Sequence, residues 1–221
     1  MTTVDTPLYR FTVLGTAAVR MWRSWKIVLP VIVINAIVQG LLLLPGTLPY
    51  LTVGFVITTL ASFIALAVSF TFVSASMLQA VHGAVSTPSV LAALRTRIWP
   101  VLAWSFGLIV VVTVGLALYV IPGLIVLAVT PYLLIAVVDT APNPLATNFR
   151  VLRARWGRWL VTIAIVAFIC LLMWLLSALD GFFVTGTGGA IIGWLGIGLV
   201  SSWLICAWTL VYRSVVPTTH R

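Results

Sequence analysis

Residues 51–80 read LTVGFVITTLASFIALAVSFTFVSASMLQA, thirty positions without one charged side chain. As a helix such a run rises about 45 Å, more than the roughly 30 Å of hydrocarbon in a bilayer. It is too long for a strand, and it lacks the polar face that a surface helix of a soluble domain keeps. The stretch is read as a membrane span that tilts, or emerges from the membrane toward Gln79.

Outward from it, apolar segments recur at 27–44, 101–120, 121–138, 160–179 and 190–212. The whole chain is 62% hydrophobic and 7% charged, against about 25% charged in an ordinary soluble domain. No soluble core hides that much apolar surface. Residues 1–221 are therefore read as a single membrane domain, an all-α polytopic protein with about six transmembrane helices and a short cytoplasmic tail at 213–221. The first apolar run begins near Ile27 and is followed by Pro45-Gly46, without the small-x-small site of a cleaved signal, so it is expected to be a retained span. Ile121-Pro122-Gly123 predicts a tight reversal between the third and fourth spans. Pro131 predicts a kink in the fourth.

The net charge of +9 comes from eleven Arg and Lys26 against Asp5, Asp139 and Asp180. Arg10, Arg20, Arg23 and Lys26 precede the first span, and Arg95 and Arg97 fall between the second and third. Arg150, Arg153, Arg155 and Arg158 fall between the fourth and fifth, and Arg213 and Arg221 follow the sixth. The alternate loops near 45–50, 119–123 and 180–189 contain no Lys or Arg. The positive-inside rule then places both termini of a multi-pass protein in the cytoplasm. No basic stripe with interleaved aromatics extends beyond the membrane flanks, which argues against nucleic acid as a partner. Membrane lipids are the nearer partner, each Lys or Arg adding about 1 kcal/mol of attraction to an anionic surface.

Each pair of spans is preceded by a similar opening: Thr6-Pro7, Thr87-Pro88 and Asn143-Pro144. A Thr or Asn side chain accepts a bond from a free N–H of the first helical turn, and proline next to it has no N–H to leave unpaired. Apolar residues follow at helical spacing: Leu8, Phe11, Ala18, Trp22 and Trp25; then Leu91, Leu94 and Ile98; then Leu145, Phe149, Leu152 and Trp156. Every arm ends in Arg and Trp beside a span, as in Arg155-Trp156-Gly157-Arg158-Trp159. Such arms are expected to lie along the inner membrane surface. The chain thus reads as three copies of arm, span, outer turn and span, over 6–80, 87–138 and 143–212. Arg150, Arg153, Arg155, Arg158, Arg95 and Arg97 are its candidate contacts to anionic lipid or a partner.

Few other residues carry chemistry. His82 and His220 have no carboxylate at ligand spacing, and Cys170 and Cys206 are isolated within apolar runs. That pattern predicts no metal, no cofactor and no enzyme. Asn35 and Gln39, four apart, share a helix face and are expected to bond across to another helix. Asp139, at the end of the fourth span, is expected to pair with Arg150, Arg153 or an arginine of another repeat. Gly189 and Gly193 have G-x-x-x-G spacing, which permits close helix packing within the chain or against a partner protein.

The stretch from Ile121-Pro122-Gly123 through Pro131 and Asp139 to Asn143-Pro144-Leu145 and Arg158 resembles the membrane domain fused to some glycerophosphodiester phosphodiesterases and its stand-alone bacterial relatives. The resemblance implies a helix returning to the cytoplasm, an acidic residue, and then an amphipathic Arg-rich helix. It implies no catalytic residue, because the activity of the fused members belongs to a separate soluble barrel. The Arg-heavy, Lys-poor, Ala/Val-rich composition resembles that of a high-GC actinobacterium. These readings give a non-catalytic accessory subunit, bound to other membrane-protein subunits of an envelope or lipid-transport complex; a mammalian-cell-entry-type lipid transporter is one candidate host. The alternative is a stand-alone transporter of a lipid or apolar substrate.

Cysteines introduced at 45–50 and 180–189 are expected to react with an impermeant thiol reagent from outside intact cells, and one near 150 only after lysis. The reverse pattern would overturn the topology.

Overall fold

A computed structural model of the protein describes residues 12–44, 49, 52–81, 85–118, 120–161, 163–164, 167–168 and 187–216. Thr6-Pro7, His82, Cys170, Asp180, His220, Arg10, Arg221 and most of the expected span 160–179 lie outside the described residues. Within them all regular structure is helical: α1 (Thr12–Arg23), α2 (Trp25–Leu42), α3 (Val53–Ala80), α4 (Thr87–Leu118), α5 (Val120–Val129), α6 (Leu133–Val138), α7 (Pro144–Ala154) and α8 (Thr187–Arg213). Four of these, α2, α3, α4 and α8, are long and apolar enough to cross a membrane.

The expected span 121–138 is two helices rather than one kinked helix. At 10 and 6 residues, α5 and α6 rise about 15 and 9 Å, and neither alone reaches across 30 Å of hydrocarbon. Pro131 has no N–H and its ring crowds the preceding turn. Here the helix stops and restarts around it. The Ile121-Pro122-Gly123 reversal is also displaced. α4 ends at Leu118 and α5 begins at Val120, so the motif forms the first turn of the returning helix, where proline's missing N–H would be unpaired anyway.

Gly123 serves close approach instead of turn geometry. A Cβ on Gly115 would lie 2.8 Å from the Gly123 nitrogen, and one on Gly123 would lie 2.5 Å from Leu116 Cγ. The backbones of α4 and α5 therefore touch there. Small residues at other crossings were different from those the sequence suggested. A Cβ on Gly198 would press on Ile32 and one on Gly40 on Ile191, whereas Gly193 has open space beside it among the described residues. The α2–α8 contact thus rests on Gly40 and Gly198, one on each helix, and not on Gly193 of the G-x-x-x-G pair.

The arms are helical, with different junctions. α1 gives way to α2 at the single residue Ser24. Asn143 caps α7 as its sequence predicts, its Oδ1 accepting from the Ala146 N–H at 3.0 Å. The second arm has no break: 87–98 runs straight into α4, a 32-residue helix with Pro100 inside it. Thr87 is already its first residue, and the Gln79 side-chain Oε1 holds this start instead, accepting from the Ser86 N–H at 3.3 Å and the Ser89 hydroxyl at 2.9 Å.

Cross-contacts fix the directions. Gln39 meets Ser62 while Val28 and Ile32 cluster with Val73 and Met77, so α2 and α3 are antiparallel; Ile32 meets Gly198 and Gly40 meets Ile191, so α2 and α8 are too. One buried cluster joins Ala75, Leu78, Val90, Val101, Ile135 and Tyr212, and a second joins Ala17, Val28, Ile32, Met77 and Ile205. Both sit toward the end where α3, α6 and α8 finish and α2 and α4 start. Farther along, Val53, Ile57, Ile109, Val111, Leu118 and Ile121 are exposed.

Replacing Gly115 by Ala is expected to destabilise the protein in detergent by about 1–3 kcal/mol, the usual range for overpacking. Gly107→Ala, where a Cβ meets nothing within 4 Å, is the control. Equal thermal unfolding midpoints for the two variants would contradict the α4–α5 contact.

Candidate functional site

The antiparallel order brings Lys26 at the start of α2, Arg95 and Arg97 in the first turns of α4, Asp139 at the end of α6 and Arg213 at the end of α8 to one end of the bundle. α7, with Arg150 and Arg153, packs against α6 at that same end. Beside these cations stand indoles that the fold leaves uncovered: Trp22 and Trp99 are each 75% exposed and Trp156 is 64% exposed. Trp22 stacks on Trp25, with ring centroids 6.5 Å apart.

Much of the apolar stripe on the second and third arms faces outward, while Leu94 and Ile98 are half-buried and Leu152 packs against the α6 cluster. Leu91 of α4, Leu145 and Phe149 of α7, and Trp156 beyond it are all exposed. The face of α7 that does enter the protein is Thr147, Asn148 and Val151. An apolar stripe turned away from its own protein requires another apolar environment, and together with flanking Arg and Trp it matches the interfacial boundary of a membrane.

Asp139 closes the bundle at this end. Arg213 donates from Nη1 to Asp139 Oδ2 at 3.0 Å and from Nη2 to Oδ1, and the Tyr212 hydroxyl donates to Oδ2 at 2.9 Å. The guanidinium also lies 5.7 Å from the centroid of the Tyr212 ring. The paired side chains are only 10% and 18% exposed for Arg213 and Asp139. Arg150 and Arg153, the neighbours by sequence, remain exposed. The pair is geometrically supported from below by the end of α6: the Ala141 N–H bonds the Ala136 carbonyl at 2.9 Å and the Thr140 N–H bonds Val137 at 3.1 Å. That double closure requires a left-handed residue. It is Thr140, at φ 59°, a β-branched residue where glycine would be unstrained.

Two turns deeper, the break around Pro131 is bridged from α7. Asn148, fully buried, accepts from the Tyr132 N–H at 3.0 Å and donates to the Val129 carbonyl at 2.7 Å. Trp159 Nε1 donates to the Ala128 carbonyl at 2.6 Å, and Thr130 Oγ1 to Val126 at 2.7 Å. Sequence reading overlooked Asn148, although its signal was present. It stands three residues after Leu145 and four before Leu152, an amide close to the stripe that should be apolar.

Of the two amides on α2, Gln39 bonds across to α3: Ser62 Oγ donates to its Oε1 at 2.7 Å, and its Nε2 donates to the Ser62 carbonyl at 3.3 Å. Asn35 does not. It is 7% exposed, and its Oδ1 has no hydrogen-bond partner. Among the described residues no three His, Cys, Asp or Glu side chains come together. Among the described residues the fold is all-helical, with four helices long and apolar enough to cross a membrane. Comparison with family models, curated proteins and solved structures finds no match to this chain.

The Asp139–Arg213 pair yields a double-mutant test. Asp139→Asn or Arg213→Met alone is expected to cost about 3–5 kcal/mol by stranding a largely buried charge, while the double variant recovers most of that loss. Unfolding in detergent reads it out, and additive losses would show that the two side chains act independently.

Proposed function

We propose that this protein is a non-catalytic polytopic subunit of an envelope or lipid-transport complex in a bacterial cytoplasmic membrane. The observation that carries the non-catalytic part is the treatment of Asp139. It is the acidic residue of the described chain, and three donors from Arg213 and Tyr212 occupy it, leaving a structural tie where a reactive carboxylate would need a free face. Asn148 and Gln39 are engaged in the same way. The polar groups join helices to one another.

In this reading α5 and α6 together make a fourth crossing, 160–179 a fifth and α8 a sixth, with both termini cytoplasmic. The arms lie on the inner surface, their outward stripes in the lipid and Arg95, Arg97, Arg150, Arg153, Arg155 and Arg158 toward anionic head groups or a partner. What supports this is the exposure of Leu91, Leu145, Phe149, Trp99 and Trp156 next to those cations. A mammalian-cell-entry-type transporter is the candidate host. With no energy-coupling motif in this chain, another subunit would supply the driving force.

A stand-alone transporter of a lipid or apolar substrate is the second reading, favoured by one observation: a cavity between α2, α3 and α8 lined mostly by apolar side chains.

Tagging the chain at its native locus, extracting it gently and identifying what accompanies it by mass spectrometry separates the two. The subunit reading expects stoichiometric membrane partners. Recovery of the chain alone, with lipid transport by the purified protein in liposomes, would defeat it.

A further inference from the structure

The cavity between α2, α3 and α8 has a volume of about 220 Å³. Its walls include Phe70, Val73, Trp194 and Ile205, and its polar groups are Asn35 and the hydroxyls of Ser69, Ser201 and Ser202. Asn35 is the exceptional member. The fold pairs Gln39, one turn along the same helix, with Ser62, yet leaves the carbonyl oxygen of a buried Asn35 unpaired. An unsatisfied buried acceptor costs about 1–3 kcal/mol. An apolar residue of the same shape would avoid that cost and pack the same space.

We propose that this cavity binds a neutral lipid-like alcohol, an apolar molecule with one hydroxyl group that hydrogen-bonds the Asn35 side chain. Three properties select that chemistry. Asn35 stands ten residues into α2, about 15 Å along a helix that crosses about 30 Å of hydrocarbon, and so near mid-bilayer. A charged head group is costly at that depth, which excludes phospholipid heads and leaves a neutral polar group. A carboxamide offers an acceptor and a donor that exchange by a half-turn of its last torsion, matching a hydroxyl that both donates and accepts.

Size and access agree. An apolar cavity of about 150 Å³ takes up benzene, so this one admits a ring or a short length of chain. Leu66, Ile197 and Ser201 on its wall are exposed, so the remainder of a longer molecule extends into surrounding lipid. The site rests on the reading of α2, α3 and α8 as membrane spans, and it stands whether the chain works in a complex or alone.

The test uses the full-length protein in nanodiscs, photolabelled with a diazirine-bearing octanol or with the matching diazirine-bearing octane, and with label sites mapped by mass spectrometry. The octanol is expected to label cavity residues of α2, α3 and α8 about fivefold more than the octane. Asn35→Leu is expected to bring octanol labelling down to the octane level and leave the octane unchanged. Ser201→Leu, on the exposed rim of the cavity, should reduce labelling by both and serves if Asn35→Leu does not fold. Equal labelling of the unaltered cavity by both probes, octanol labelling indifferent to Asn35→Leu, or labelling indifferent to Ser201→Leu would each overturn the proposal. Extraction of the chain by carbonate instead of detergent would fault the membrane reading itself, a separate failure.

Discussion

A backbone N–H or C=O exposed to hydrocarbon has no water to turn to, and each one left unpaired costs several kcal/mol. The break at Pro131, between α5 and α6, confronts that constraint directly, because proline removes one bond and the interruption frees others. The solution comes from a different helix. Asn148 bonds to both sides of the break, at Val129 and Tyr132, and Trp159 takes the Ala128 carbonyl. α7 is thereby held against α6, and the amphipathic arm gains a fixed orientation with Thr147, Asn148 and Val151 inward. Its outward stripe is then a consequence of where its one amide had to go.

The same constraint organises the basic end. α6 has only six residues, too few to hold itself by its own hydrogen bonds. It is buried among Ala75, Val90, Val101 and Val211 and closed at its end by the Thr140 turn and the Asp139–Arg213 pair. That pair links positions 74 residues apart and ties the last turn of α8 to the end of α6. Away from this end α4 and α5 touch backbone to backbone at Gly115–Gly123, and Gln39 joins α2 to α3 through Ser62. There the outer surface is apolar and uncovered, the arrangement expected where lipid is the solvent.

Polar side chains inside the bundle divide into two kinds. Gln39, Asn148 and Asp139 each have partners that join one helix of this chain to another. Asn35 has none and borders the cavity. The proposed lipid-alcohol site draws on the second group, and it is compatible with the proposed accessory-subunit role.

Composition and charge placement were enough to read a helical membrane chain, its basic flanks and the Asn143 cap, because those follow from local rules: apolar run length, the N–H left free at a helix start, and which loops carry arginine. Proline at 131 was legible as a disturbance, but its magnitude was not. Whether a proline bends or breaks a helix depends on whether some other segment can bond the freed backbone, and Asn148 and Trp159 lie 17 and 28 positions farther along the sequence. Periodicity likewise made Asn35 and Gln39 equivalent, and only the neighbours on α3 and α8 separate them, Ser62 meeting one and a cavity the other. The choice of Arg213 for Asp139 was of the same kind. The sequence determined which groups needed partners in an apolar medium; the tertiary structure decided which of them found one, because pairing depends on distances between helices that no local pattern encodes.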